Sequence, residues 1–230
     1  MANAQIMNQI TKALPRATWD TVTIKETGEP LVELIETKKL KLGGIHKVYE
    51  PLFLLRQTVA EKLYKVSENL PQGMVLIIIE GYRTMQHQQD SWDRNFQRVK
   101  NDNQGMSDAE VEKIVRMVIA KPHPLANHHC GGAVDVTLGY ENGELLDMGS
   151  PYPSEAYGTD IREKFPMFPN SLLKKLITKE QEKNRKLLRE AMEQEDFVWY
   201  PAEWWHYCWG DRMWAVYSRR TSCMYGSIEP

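Results

Sequence analysis

A run of apolar, mostly branched residues, Met74 to Ile79, constrains the fold of this 230-residue chain more than any other feature. Because successive residues in the run are all apolar, the segment is expected to be a central strand that is buried on both faces. It is far shorter than the ~20 residues that a membrane-spanning helix requires. With 42% hydrophobic and 26% charged residues, the chain can bury a sizeable core around this strand. The strand ends at Glu80-Gly81-Tyr82-Arg83, an edge where functional side chains are expected.

Helical periodicity and capping residues predict four helices in the rest of the chain. The predicted helices are Val48–Leu70 before Pro71, Thr84–Lys100, a helix that begins at the capping box Ser107-x-x-Glu110 and continues to Ala120, and a helix that begins at Thr178-x-x-Gln181.

Alternating or aromatic-rich segments predict further short strands. These segments are Ala133–Leu138, followed by an Asn142-Gly143 hairpin turn, and then Phe197–Tyr200, Trp204–Trp209 and Met213–Tyr217. The first forty residues are polar and predict no element. No linker or repeat divides the chain, so the sequence predicts one α+β domain over residues 1–230, with a small central antiparallel sheet flanked by helices.

Charge and cysteine content exclude several classes of function. Lys and Arg number 29 and Asp and Glu number 31, with no basic block, so neither a nucleic-acid nor a membrane partner is expected. The N-terminal residues contain no signal peptide, which predicts a cytoplasmic location. Three cysteines, without a C-x-x-C pair, indicate neither a disulfide framework nor a zinc ribbon. Nothing in the sequence indicates an oligomeric state.

Only six histidines are available for a metal site or for acid–base chemistry, and two segments combine histidine with a carboxylate near a strand edge. In the first, Gly131-Gly132 can turn the chain so that His128 and Asp135 point at one ion. In the second, Glu203 and His206 can share a site only if the strand bends, since side chains alternate along a strand. Each segment alone is a weak signal, because a hydrogen-bonded histidine or ordinary core packing is the commoner explanation of such a pattern.

Together the two segments match the needs of a catalytic zinc. Such a site takes about three nitrogen or oxygen ligands and keeps one position open, and His128, Asp135 and His206 supply two imidazoles and a carboxylate. Glu203 is then left to move the proton of the attacking water. Arg83, at the end of the buried strand, can stabilise a developing oxyanion, or it can form a structural ion pair.

These residues resemble the VanX-type zinc D-alanyl-D-alanine dipeptidases, which are related to the D,D-carboxypeptidases of peptidoglycan. The family motif Ser-x-His-x-x-Gly-x-Ala-x-Asp is matched by Ala126–Asp135, and the Glu-Trp-Trp-His motif is present unchanged as Glu203–His206. The family segment Asp-Gly-Tyr-Arg appears as Glu80–Arg83. Three further segments are similar to family segments: Ala17–Asp20, Asp147–Ser150 and Asn184-Arg185.

The resemblance implies a single zinc ion bound by His128, Asp135 and His206, with Glu203 as general base and acid and Arg83 as the transition-state stabiliser. Its substrate would be D-alanyl-D-alanine or a related short D-amino-acid dipeptide.

The departures from the family pattern concern substrate recognition. The family Ser before the first ligand is Ala126, a family Tyr is Arg16, and the family Asp that receives the substrate ammonium is Pro153. Either Glu155 or Asp160 replaces that Asp, or the preferred substrate is not a free dipeptide. The alternatives are a D,D-carboxypeptidase that trims peptidoglycan stem peptides, and a catalytically silent zinc-binding protein. The presence of both Glu203 and Arg83 disfavours the silent protein.

Overall fold

The fold is organised around a mixed five-stranded sheet. A computed structural model describes residues 16–43, 49–116, 119–149, 177–201 and 203–230. The strands are β1 Thr23–Ile24, β2 Leu31–Glu33, β3 Leu40–Leu42, β4 Leu54–Arg56, β5 Met74–Glu80, β6 Ala133–Tyr140, β7 Val198–Trp199, β8 His206–Cys208 and β9 Ser222–Cys223. The helices are α1 Gln57–Glu68, α2 Met85–Asp102, α3 Asp108–Arg116, α4 Lys179–Gln194 and α5 Arg212–Tyr217, with 3-10 turns at Arg16–Thr21 and His128–Cys130.

The central sheet has the strand order β3-β5-β6-β8-β7. The pairs β5–β6, β6–β8 and β7–β8 are antiparallel, whereas β3 is parallel to β5. The mixed α and β architecture is therefore confirmed, but the expectation of a purely antiparallel sheet is wrong. The parallel strand comes from the N-terminal region, whose polar sequence gave no strand signal because β3 is a three-residue edge strand.

The predicted central strand is confirmed, with both faces covered. Leu76 and Ile78 on β5 belong to the main core, together with Leu63 from α1 and Leu188 from α4. On the next strand, Val134, Val136 and Leu138 are fully buried in the same core. Successive side chains of a strand point to opposite faces, so the residues between them, Asp135 and Thr137, lie on the other face of the sheet. None of the helices in the described ranges is long and apolar enough to cross a bilayer.

Capping residues located most helix starts correctly. Thr84 accepts a hydrogen bond from the backbone N–H of His87, and Thr178 with Gln181 forms a complete capping box at α4. At α3, the carboxylate of Glu110 accepts from the backbone N–H of Ser107 at 2.8 Å, which confirms the predicted helix start.

Two predicted elements are wrong in type. Leu54–Arg56, assigned to the helix that was predicted over Val48–Leu70, is strand β4, and it pairs with β2. Met213–Tyr217, predicted as a strand, lies in helix α5 because the side chain of Asp211 accepts a hydrogen bond from the backbone N–H of Trp214. Both errors involve short apolar segments, where helical and strand periodicity cannot be distinguished.

A β-bulge at the end of β5 arranges the residues of the site. The pairing register runs from Ile78 opposite Val136 to Glu80 opposite Asp135, so β5 contains one extra residue. On the other side of β6, Asp135 is paired with His206 of β8. Directly paired residues of neighbouring strands share a face, so Glu80, Asp135 and His206 form a row across three strands.

Candidate metal centre

The 3-10 turn His128–Cys130 adds a fourth side chain to this row. The turn ends at Gly131, whose φ of 70° is in the left-handed region, and the next residue begins the approach to β6. A Cβ atom at Gly132 would lie 2.8 Å from the backbone oxygen of Trp209, so only glycine allows this close passage. The two glycines thus turn the chain as the sequence predicted, and they bring the ring of His128 next to Asp135.

His128, Asp135 and His206 form one compact group of potential metal ligands. His128 Nε2 is 3.2 Å from His206 Nδ1 and 3.4 Å from Asp135 Oδ1, and His206 Nδ1 is 3.0 Å from the same oxygen. Tetrahedral zinc with bonds of about 2.0 to 2.1 Å would separate its ligand atoms by about 3.3 Å. Two nitrogens and one oxygen at these separations fit zinc in both geometry and donor chemistry.

A backbone carbonyl fixes the orientation of the His128 ring. His128 Nδ1 lies 2.7 Å from the carbonyl oxygen of Gly81, so Nδ1 carries the proton and donates it to that oxygen. The lone pair of Nε2 then faces the centre of the group, which is the tautomer that a metal ligand requires. The neighbouring His129 is directed elsewhere, because its ring lies 3.1 Å from the hydroxyl of Tyr82 and 3.4 Å from the carboxylate of Glu229.

Electrostatics around Asp135 favour a cation at this position. Burial by itself would raise the pKa of the Asp135 carboxyl, but the imidazoles of His128 and His206 hold it well below its usual range. Burial would likewise lower the pKa of His206, and the hydrogen bond and negative charge of Asp135 raise it instead. The buried carboxylate therefore stabilises positive charge next to it.

A turn before β8 places Glu203 on the same side as His206, which a regular strand would not allow. The backbone N–H of His206 donates to the carbonyl of Glu203 at 3.3 Å, so the chain bends between the two residues. Glu203 Oε2 consequently lies 3.9 Å from His206 Nδ1. Trp199 holds the turn through a 3.1 Å hydrogen bond from its indole N–H to the carbonyl of Glu203. Burial raises the pKa of the Glu203 carboxyl, which moves it towards the range of a general base at neutral pH.

Arg83 lies beside Glu80, at the β5 end of the row formed by Glu80, Asp135 and His206, and it forms an ion pair with Glu80. Its Nε donates to Glu80 Oε1 at 2.9 Å, its Nη2 donates to Glu80 Oε2, and its Nη1 donates to the side-chain oxygen of Gln88 at 2.8 Å. The hydroxyl of Tyr49 donates to Glu80 as well. Glu80 is fully buried, and sequence analysis did not single it out as a functional residue. Its position three residues before Arg83, at the end of a buried strand, was the available signal.

Comparison with known proteins decides the class of this chain. A family model described as D-ala-D-ala dipeptidase, peptidase M15, matches residues 47–227.

The chain belongs to this dipeptidase family.

The match confirms the resemblance drawn from the sequence motifs and the predicted class of enzyme, a zinc metallopeptidase.

Individual relatives carry the same description. A D-alanyl-D-alanine dipeptidase of Synechocystis sp. is 26% identical over 216 residues, which cover 84% of this chain and 87% of the relative. A D-alanyl-D-alanine dipeptidase of Escherichia coli K12 is 28% identical over 135 residues, which cover 59% of this chain and 55% of the relative. Among solved structures, the Zn(II) complex of the D,D-pentapeptidase VanY is 14% identical, with a TM-score of 0.43, and the match covers 89% of this chain and 96% of VanY.

Some positions that depart from the dipeptidase family pattern can be located in the structure. Ala126 is buried and accepts the backbone hydrogen bonds of the turn that carries His128. Arg16 begins the first 3-10 turn. The positions predicted to govern the substrate ammonium, Pro153, Glu155 and Asp160, lie outside the described residues.

The residues just before those positions in the chain, Asp147 and Met148, are held against α4 by hydrogen bonds. The carboxylate of Asp147 accepts from the backbone N–H of Gly149 and from the side-chain amide of Gln181, both at 2.8 Å. The side chain of Asn184 donates to the Asp147 carbonyl at 2.9 Å, and Arg185 donates to the Met148 carbonyl. The two family-like segments Asp147–Ser150 and Asn184-Arg185 thus meet through residues 147–148 of the first and 184–185 of the second.

Proposed function

We propose that this chain hydrolyses D-alanyl-D-alanine, or a related short D-amino-acid dipeptide, at one zinc ion held by His128, Asp135 and His206. The observation that carries the proposal is the triangle of ligand atoms, with sides of 3.0, 3.2 and 3.4 Å, on a single face of the central sheet. Membership of the D-Ala-D-Ala dipeptidase family supports the choice of substrate. The cytoplasmic location expected from the N-terminal residues stays a prediction.

We also propose that the whole chain forms one peptidase domain. Strand β1 pairs with β9 near the C-terminus, with Thr23 opposite Ser222. Arg212 of α5 donates to the carboxylate of Asp20 at 3.1 Å. These contacts join the described N-terminal residues, which precede the family match, to its C-terminal part.

Each residue around the metal position has a separate role in amide hydrolysis. Zinc held by His128, Asp135 and His206 would act as a Lewis acid and would lower the pKa of water in the site. Glu203 takes the proton from the attacking water and then delivers it to the departing amine, for which its raised pKa suits it. Arg83 stabilises the negative charge that develops on the carbonyl oxygen. Glu80 holds the guanidinium of Arg83 in a fixed orientation through the two-point ion pair.

A D,D-carboxypeptidase is the second candidate, and one substitution favours it. Pro153 stands where family dipeptidases carry the Asp that receives the substrate ammonium. Proline cannot pair with a charge, and a peptidoglycan stem peptide carries no ammonium next to the scissile residues. The same zinc, base and arginine would serve either substrate.

Turnover by the purified protein tests the proposal and separates the two candidates. We expect about one zinc per chain by atomic absorption, and cleavage of D-Ala-D-Ala that stops when a chelator removes the metal. A stem pentapeptide ending in D-Ala-D-Ala and the dipeptide L-Ala-L-Ala serve as the comparison substrates. Faster cleavage of the pentapeptide would identify the carboxypeptidase, and equal cleavage of L-Ala-L-Ala would overturn the proposed D,D specificity.

Removal of the Glu80 carboxylate tests the role of the ion pair at Arg83. We expect Glu80→Gln to lower kcat by about 10²-fold, because a misplaced transition-state group loses much of its effect. Zinc content should stay at the wild-type level, since Glu80 is not among the three ligands. The measurement is steady-state kinetics with metal analysis on the same preparation.

The matched control is Glu112→Gln, which makes the same change in an ion pair with Arg116 on the surface of α3. Surface pairs contribute little, so this variant should behave as the wild type. Unchanged kcat in Glu80→Gln would show that the ion pair is structural only.

A further inference from the structure

A buried thiol lies behind the imidazole of His206. Cys208 is on the same face of β8 as His206, two residues further along, and it is completely buried. Its Sγ is 3.4 Å from His206 Nε2, the nitrogen that faces away from the ligand group. The opposite nitrogen, Nδ1, is the one that faces Asp135 and His128. The ring of His206 is therefore held between the candidate metal position and the sulfur.

The geometry fixes which group donates. If His206 Nδ1 offers its lone pair to a metal, the proton of the neutral ring must be on Nε2, and Nε2–H donates to the sulfur of Cys208. In many metal sites a carboxylate or a backbone carbonyl takes this place. Here the acceptor is an uncharged thiol, in a pocket that already contains the carboxylates of Asp135, Glu203 and Asp211. It can therefore orient the ring without adding another negative charge.

The sulfur is itself fixed from a second direction. The side-chain amide of Asn127 donates to Cys208 Sγ at 3.2 Å. Asn127 directly precedes the ligand His128 in the chain, so one sulfur atom accepts from the segment of each candidate histidine ligand. Asp211, which is also completely buried, lies next to the thiol and is anchored by a 2.7 Å hydrogen bond from the backbone N–H of Trp214.

We propose that Cys208 is a positioning residue for the metal centre, whose sulfur accepts the Nε2–H hydrogen bond of His206 and holds Nδ1 towards the metal. This inference rests on the proposed zinc site. It assigns a role to a buried thiol that neither the ligand set nor the catalytic residues use. The contacts of the sulfur fit this role, because Asn127 precedes the candidate ligand His128 and His206 is itself a candidate ligand.

Zinc affinity measured by competition with a chromophoric chelator tests this role without reference to turnover. We expect Cys208→Ala and Cys208→Val to weaken zinc binding by about 10- to 100-fold, the usual effect of losing an outer-shell partner. Cys208→Ser keeps an acceptor and should bind zinc more tightly than either. The valine variant fills the space of the thiol and suits a strand, so the test holds if the alanine variant does not fold.

The matched control is Cys223→Ala, which removes another buried thiol, on β9, whose sulfur lies 3.8 Å from the carbonyl oxygen of Tyr225. Its zinc affinity should equal that of the wild type. Wild-type affinity in Cys208→Ala or Cys208→Val would overturn the positioning role. A thiolate-to-metal absorption band of the Co(II) form that disappears in Cys208→Ala would overturn it too, because Cys208 would then be a ligand. If His128→Ala also left the affinity unchanged, the proposed zinc site itself would be wrong.

Discussion

Glu203→Gln is expected to retain zinc and to lose nearly all hydrolysis. The amide has almost the same shape as the carboxylate, but it cannot accept the proton of the attacking water. General acid–base groups contribute about 10²- to 10⁴-fold to rates, and Glu203 is proposed to act in both proton transfers, so kcat should fall by about 10³-fold or more. Zinc should stay bound, because the Glu203 carboxylate is not part of the ligand triangle and lies 3.9 Å from His206 Nδ1.

The check is kcat for D-Ala-D-Ala together with zinc content on one preparation. Glu193→Gln is a suitable control, since burial raises the pKa of this glutamate too, and it pairs with Arg189 on α4 rather than with a ligand. The control should keep wild-type kcat. Activity above about a tenth of the wild type in Glu203→Gln would remove Glu203 from the mechanism.

Substitution of His128, but not of the adjacent His129, is expected to have the second large effect, a loss of zinc binding. His128→Ala should weaken zinc binding by more than about 10²-fold, beyond the loss that outer-shell changes produce, and should abolish turnover. The reason is that His128 Nε2 forms one corner of the ligand triangle, whereas the ring of the next residue, His129, contacts Tyr82 and Glu229.

His129→Ala makes the same change one residue away. His129 contacts Tyr82 and Glu229, so its loss should lower the free energy of unfolding by about 1 to 3 kcal/mol and leave one zinc per chain. Thermal unfolding and metal analysis measure the two effects. Loss of zinc in His129→Ala with full retention in His128→Ala would invert the assignment of the ligand.

The structure brings together His128, Asp135 and His206, and the sequence could single them out because the signals are local. The Gly131-Gly132 pair, the spacing from His128 to Asp135 and the unchanged Glu-Trp-Trp-His segment each lie within ten residues, and the structure brings their side chains together. The bend required between Glu203 and His206 is also present. The roles of these residues in zinc binding and catalysis stay predictions until the variants are measured.

The remaining features depend on pairings between distant segments, which a single sequence does not reveal. The position of Glu80 opposite Asp135 depends on a bulge that exists only when β5 pairs with β6. The parallel pairing of β3 with β5 joins residues about 36 positions apart, such as Leu40 and Leu76. Helix α5 is an exception, because its signal is local: the capping residue Asp211 outweighed the strand preference of the aromatic residues.

The row across β5, β6 and β8 has a consequence for how this protein assembles. Asp135 and His206 are 71 residues apart and become neighbours only when β8 docks on β6, so a chain with an unformed sheet has no complete binding site. Metal binding would then stabilise the pairing of the last strands. Its free energy would add to the free energy of folding, and partly folded states without the complete site would not gain it. The amount of enzyme that reaches its native form would therefore depend on the concentration of the metal ion while the chain is synthesised and folds, as well as on its concentration during catalysis.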